Sequence, residues 1–420
     1  MIQKFDLFPG VRLYCYPDDR FKHGCMSVQL VRPMREDEAA LNALIPAVLL
    51  RGSKNCPDLR SITLRLDDLY GASVGTLVRR VGDYQTTGLY TSFVEDRYAL
   101  DGDAILMPMA EFLRELLLEP VLDKGAFRKD YVESEKKNLI STIESQRNDK
   151  RTYAMEQLMR HMCQGDSFGY SRLGEIPNVK KITPESLHAH YRKVLEESRI
   201  DVVYVGSAQP ETVAGFVRAM FQNVKRNFLP LPEQTAFHGG EPGSYTETMD
   251  VSQGKLCMGF VTPMTIRSAD YVPMQLLNLV FGGGMTSKLF MHIREEKSLC
   301  YAIGSAYRGS KGILTVSAGI DCNMEETVKE QIMEQLEACR KGQISEEELS
   351  AAKEAMRSGL QTVHDSPGNI ENYYATAMLS DFRMPLAEYA AAVEAVTVEQ
   401  LAEAAKTLQL HSVFFLKGVS

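Results

Sequence analysis

The 420-residue chain contains no tryptophan and no cysteines spaced Cys-x-x-Cys. The first absence excludes nothing. The second matters, because Cys15, Cys25, Cys56, Cys163, Cys257, Cys300, Cys322 and Cys339 are scattered over a chain long enough to bury its own core. That pattern argues against a disulfide framework and for reduced thiols packed as small hydrophobes. Long apolar runs are missing too: ALIPAVLL, at 43–50, is far too short to span a bilayer. The opening MIQKFDLFPGVRLYCYPDD has no apolar stretch ending in a small-residue cleavage site. No secretory signal is therefore expected, and the expected location is cytoplasmic. A net charge of −8 gives no support to a nucleic-acid partner or an anionic membrane surface.

Self-contained catalytic signatures are absent as well. No Gly-x-x-x-x-Gly-Lys-Ser/Thr loop, Gly-x-Ser-x-Gly elbow or His-Glu-x-x-His helix occurs. His188 and His190 stand two residues apart and cannot share a helix face, and His161 has the same relation to Cys163. They read as core or surface histidines, not as metal ligands.

What is present describes a soluble globular protein, 44% hydrophobic and 24% charged, and too long for a single ordinary core. Two halves repeat one order of elements. The first runs from strand-like VRLYCY and MSVQLVR through helical 36–51 and 59–69 to strand-like SVGTLVRR and DYQTTGLYTSF. A helical block at about 103–163 follows, then ITPESLHAHYRKV and the strand RIDVVYVG. The second runs from KLCMGFVTP through DYVPMQLLNLVF and TSKLFMHIREE to CYAIGSAYR and GILTVSAGI. It closes with a helical block at about 324–381, then VTVEQLAEAAKTL and HSVFFLKG. Thr183 and Thr397 sit at N-cap positions, Pro184 fits a first helical turn, and Gln400 completes a capping box with Thr397. RNFLPLPEQTAFHGGEPGSY, at 226–245, reads as a linker, with three prolines and three glycines. The expectation is an α+β protein of two similar domains, 1–225 and 246–420. Each is a mostly antiparallel sheet with helices on one face.

Two stretches bear on function. FGGGMTSKLFMHIREEKSLCYAIGS, at 281–305, opens on Gly282, Gly283 and Gly284, and Tyr301 follows Arg294 by seven residues. No lysine lies in phosphate-loop register, since Lys288 comes after Thr286 and Ser287. The glycines are expected to turn the backbone into the helix that carries Arg294. ALIPAVLLRGS, at 43–53, is apolar nearly all round, which marks burial. Ala43 and Ala47 carry no donor atom, and Pro46 has neither side-chain ligand nor N–H. Pro46 is expected to kink this helix and free the carbonyl of Asn42.

Residues 278–305 resemble a motif of the insulinase/pitrilysin and mitochondrial processing peptidase family: a glycine-rich turn, a Ser-Lys-Leu-Phe helix, and an arginine with a tyrosine seven residues on. The duplicated halves, linker and terminal helix–strand pairs extend the resemblance over nearly the whole chain. It implies, for active members, a His-x-x-Glu-His helix in the first half and a glutamate on a later helix, holding zinc. Anchored on Leu-Leu-Arg-Gly-Ser, Ala43 and Ala47 stand where the histidines would be and Pro46 where the catalytic glutamate would be. On the later helix Glu135 is kept, but Thr142 occupies the ligand position. The chain is therefore similar to a non-catalytic bacterial branch, keeping Arg294 and Tyr301 for substrate binding. The implied function is the non-catalytic subunit of a heterodimeric peptidase. No cofactor is expected in this chain, zinc sits only in a similar-sized partner, and a peptide is the substrate. The competing readings are a peptidase-derived scaffold with no part in hydrolysis and an active peptidase using other ligands; in isolation a homodimer is the alternative assembly.

Overall fold

Along Val11–Pro17 the side chains alternate: Val11, Leu13 and Cys15 are fully buried on one face, and Tyr14 and Tyr16 point to the other. The same period of two sets every long strand. The structure is a computed structural model and describes residues 2–382 and 384–418. In chain order the strands are β1 (Gln3–Phe8), β2 (Val11–Pro17), β3 (His23–Pro33), β4 (Ser73–Val81), β5 (Tyr84–Val94), the short pair β6 (Leu122–Asp123) and β7 (Ala126–Phe127), and β8 (Arg199–Gly206). The second half adds β9 (Gly243–Met249), β10 (Gly254–Val261), β11 (Ala302–Arg308), β12 (Ile313–Ile320) and β13 (Gln409–Gly418).

These elements form two compact units. Unit 1 takes the residues up to 144 together with 170–233 and 363–376. Its sheet has the order β1-β2-β8-β3-β5-β4, antiparallel throughout except where β2 meets β8. Met26, Val28 and Leu30 of β3 join Ile200, Val202 and Tyr204 of β8 under helices Glu36–Leu49, Leu106–Leu118 and Pro184–Glu197. Each fully buried Leu or Val here contributes roughly 1.5–3 kcal/mol relative to exposure. Unit 2 takes 145–169, 234–362 and 377 onward. Its sheet runs β11-β12-β10-β13-β9, antiparallel except between β13 and β9. Leu256, Met258 and Phe260 of β10 pack with Ile332, Leu336 and Leu401 of the helices on one face.

The units do not coincide with the two halves of the chain. Helix Lys150–Met162, which the sequence places in the first half, belongs to unit 2. The reason is apolar: its Ala154 and Leu158 are fully buried against Cys257, Phe414 and Leu416. Conversely, residues 363–376, which include helix Pro367–Leu379 as far as Thr376, belong to unit 1. Each sheet therefore carries one helix on the face opposite its main helical layer, because Cys257 and Phe414 alternate with the core residues Met258 and Phe415.

The 226–245 stretch is not a free spacer. Its part up to residue 233 belongs to unit 1, where Tyr84 Oη donates to the Pro232 carbonyl at 2.5 Å. The remainder belongs to unit 2, where Phe237 N donates to Lys311 O at 3.0 Å and β9 begins at Gly243. Thr183 and Thr397 both cap their helices: Thr183 Oγ1 accepts from Ser186 N at 3.2 Å, and Thr397 and Gln400 bond reciprocally. Among the described residues no helix is long and apolar enough to cross a membrane.

Candidate functional site

In unit 1 helix Glu36–Leu49 runs through Pro46 without ending; Leu50 N donates to Pro46 O at 3.2 Å. Proline removes a single helical bond, and the helix continues past it on buried Ala43, Leu44, Ile45, Val48 and Leu49. Ala43 and Pro46 are buried and Ala47 is half-buried. In place of an ionic centre, this helix presents a buried amide. Asn42 Nδ2 donates to Gln85 Oε1 at 2.8 Å, and Asn42 Oδ1 lies 2.7 Å from His190 Nε2. Gln85 Nε2 in turn donates to Ala39 O at 3.0 Å and Arg172 O at 2.6 Å. Burial pushes the His190 imidazole down to about 4, opposed by Glu38 and reinforced by Arg32 and Lys193. His190 is thus a core histidine. Nothing in the spacing of Asn42, Gln85 and His190 announces the network.

Glu135 lies on helix Lys129–Asn148, with Oε1 3.2 Å from Nη1 of Arg51. The side chains are 12% and 27% exposed. Arg51 also lies over the Tyr131 ring at 5.1 Å, and Arg128 lies over the same ring at 4.2 Å. Thr142 is exposed and its Oγ1 donates to the Asn138 carbonyl of its own helix at 2.9 Å. Ala43, Pro46 and Ala47 offer no donor, and Glu135 is already engaged with a guanidinium. These residues do not fit a zinc ion. Among the described residues no group of three or more His, Cys, Asp or Glu could hold a metal.

In unit 2 helix Tyr271–Asn278 passes into a π-helical turn at Leu279–Gly283. Gly284 is extended, Ser287 Oγ donates to its carbonyl at 2.6 Å, and a second π-helical stretch covers Leu289–Glu296. Such turns are uncommon and concentrate at functional sites. The glycines here act through space, not through left-handed backbone. A Cβ on Gly282 would lie 2.7 Å from Leu289 Cδ1 and 2.8 Å from Ser305 Oγ, whereas one on Gly284 would meet nothing. Lys288 is anchored inside, with Nζ 2.9 Å from both Glu348 oxygens.

Leu289 and Ile293, four residues apart, are fully buried, which turns Phe290 and Arg294 to the other side. The Arg294 guanidinium covers the Phe290 ring at 4.6 Å, and its Nε is 3.6 Å from Glu295 Oε1. The side chain remains 42% exposed. Burial pushes the Cys300 thiol up to about 11, with Arg294 pulling the other way. Tyr301 N donates to Gly319 O at 2.9 Å at the mouth of the edge strand β11, so its backbone is fixed. The residue is 60% exposed, and among the described residues its hydroxyl has no hydrogen-bond partner. Tyr301 is therefore not a core residue. A phenol that donates and a planar guanidinium fork are groups able to engage peptide carbonyls or a carboxylate.

A model described as the Peptidase M16 inactive domain matches residues 181–356. The chain is 30% identical over 410 residues to the "Probable inactive metalloprotease YmfF" of Bacillus subtilis (strain 168), covering 97% of this chain and 96% of that one. Among solved structures, a conserved protein from Enterococcus faecalis V583 superposes with a TM-score of 0.93 at 26% identity, covering 100% of this chain and 99% of that one. A peptidase M16 inactive domain from Pseudomonas fluorescens superposes at 0.81 with 16% identity, covering 100% and 98%, a likeness of fold.

Proposed function

The chain belongs to the M16 peptidase family, and from that premise we propose that it is the non-catalytic, substrate-binding subunit of a heterodimeric peptidase or peptide-processing complex. It is an inactive M16 peptidase homologue; the heterodimer, the peptide substrate and a cytoplasmic setting are the proposal. The zinc and the water-activating base belong to a similar-sized partner subunit, because Ala43, Pro46, Ala47 and Thr142 cannot supply them here.

The observation that carries this reading is Tyr301, whose backbone is held by the sheet while the residue is 60% exposed and its hydroxyl is without a partner among the described residues. That exposure leaves the hydroxyl open to donate to another molecule. In the proposed complex Tyr301 donates a hydrogen bond to a substrate carbonyl or to the oxyanion that forms from it, and Arg294 holds a carbonyl or carboxylate. The eight cysteines form no disulfide among the described residues, which supports the cytoplasmic setting.

The alternative is a peptide-capturing scaffold without hydrolysis, favoured by the use Arg294 already has against Phe290 and Glu295. Co-purification of the chain from its native host, followed by a peptidase assay, separates the two. A same-sized zinc-bearing partner whose peptidase activity requires this chain supports the subunit reading. A chain that purifies without such a partner, or a partner equally active alone, supports the scaffold.

A further inference from the structure

The two helices that cross to the opposite face of a sheet are fastened by different chemistry. In unit 2, Lys150–Met162 lies on hydrocarbon: Ala154 and Leu158 are fully buried with Cys257, Phe414 and Leu416, and Met162 is fully buried near Gly259. Tyr153 hydrogen-bonds Glu247, and His161 stacks on Tyr245 at 4.0 Å, at its edge. In unit 1, residues 363–376 lie on the face of the sheet that Cys25, Ser27 and Gln29 share, alternating with the core residues Met26, Val28 and Leu30. Here the central contact is a carboxylate. Glu371 is fully buried, and its Oε1 accepts from Ser27 Oγ at 2.7 Å, Gln29 Nε2 at 2.9 Å and Arg79 Nη1 at 3.1 Å. Its Oε2 accepts from Arg79 Nη2 at 2.9 Å. Ile370 packs with Cys25 and Val205, and Tyr374 lies 5.2 Å from Tyr16.

We infer that residues 363–376 form a releasable strap over the polar face of the unit 1 sheet, latched by Glu371, while helix Lys150–Met162 is a fixed part of unit 2. The difference is one of solvation. A buried ion pair gives back much of its attraction as desolvation cost, so returning it to water is cheap compared with exposing packed hydrocarbon. The strap adds Ile370 as a fully buried apolar side chain, where Lys150–Met162 adds Ala154, Leu158 and Met162. Arg79 is already 25% exposed, which lets water reach the pair from its side. Release uncovers Ser27, Gln29 and Arg79, three donors already arranged around a carboxylate. The strap thus closes, with its own glutamate, a surface suited to an acidic group.

Two cysteines report on the two helices. Cys25 is fully buried beneath the strap and Cys257 is buried beneath Lys150–Met162; Cys15 is fully buried on the opposite face of the unit 1 sheet and serves as control. The experiment is alkylation of the full chain at low urea, with each cysteine followed by peptide mass spectrometry and scaled to its rate in the unfolded chain. Cys25 is expected to react at least roughly tenfold faster than Cys257 and Cys15, with a shallow urea dependence, as local opening requires. In Glu371→Ala its rate rises by on the order of 10²-fold, the typical loss when one member of a buried pair is removed, while Cys257 does not change. Equal, slow rates at the three cysteines in the unmodified chain overturn the inference, whether or not the variant folds. So does a Glu371→Ala variant that speeds all three alike.

Discussion

Arg51 places Nη1 3.2 Å from Oε1 of Glu135, so the acidic group retained on helix Lys129–Asn148 already holds a cation of the protein's own. A metal competing for that carboxylate meets a fixed positive charge and no histidine. The purified chain is accordingly expected to hold far less than one zinc per molecule after dialysis, measured by elemental analysis. One zinc per chain, lost in Glu135→Ala, would contradict this.

Gly282 and Gly284 are neighbours in one motif with different demands. Gly282→Ala forces a methyl group against Leu289 and Ser305, and overpacking of this kind costs typically 1–3 kcal/mol. Gly284→Ala adds a methyl group to open space and is expected to stay within about 0.5 kcal/mol of the parent. Chemical denaturation of the two variants side by side checks the pair. Equal losses would mean that backbone freedom, not space, is what the glycines supply.

That contrast shows how far the sequence speaks. Thr183, Thr397 and Gln400 are local devices, legible because a cap acts within four residues. The burial of Ala43 and Pro46 is legible because an apolar run with no polar face has one fate. The crossing of Lys150–Met162 to the other sheet is not, since its Ala154 and Leu158 would suit either sheet. Glu371 is harder still: 342 residues separate it from Gln29. β1 and β9 escape notice as edge strands with little apolar alternation. Arg294 and Tyr301 are visible only as a spacing; their exposure belongs to the fold.

His190 makes stability depend on pH in a stated direction. Its folded value, about 4, lies below the ordinary 6.5, so between these limits the unfolded chain binds more protons. Stability is then full above pH 6.5 and falls as pH drops towards 4, by on the order of 3 kcal/mol from this group alone. His190→Gln should flatten the melting-temperature profile across that window. An unchanged slope would place the pH dependence elsewhere.

The central claim is that Tyr301 and Arg294 serve a partner's chemistry, and steady-state peptide cleavage by the assembled subunits tests it most directly. Tyr301→Phe is expected to leave folding and association intact and to lower kcat, by up to roughly 10²–10³ if the phenol is a full oxyanion donor. Arg294→Ala is expected to raise KM with kcat little changed, as loss of uniform substrate binding does. Parent-like kcat and KM in both variants, with normal thermal unfolding and assembly, would contradict the account.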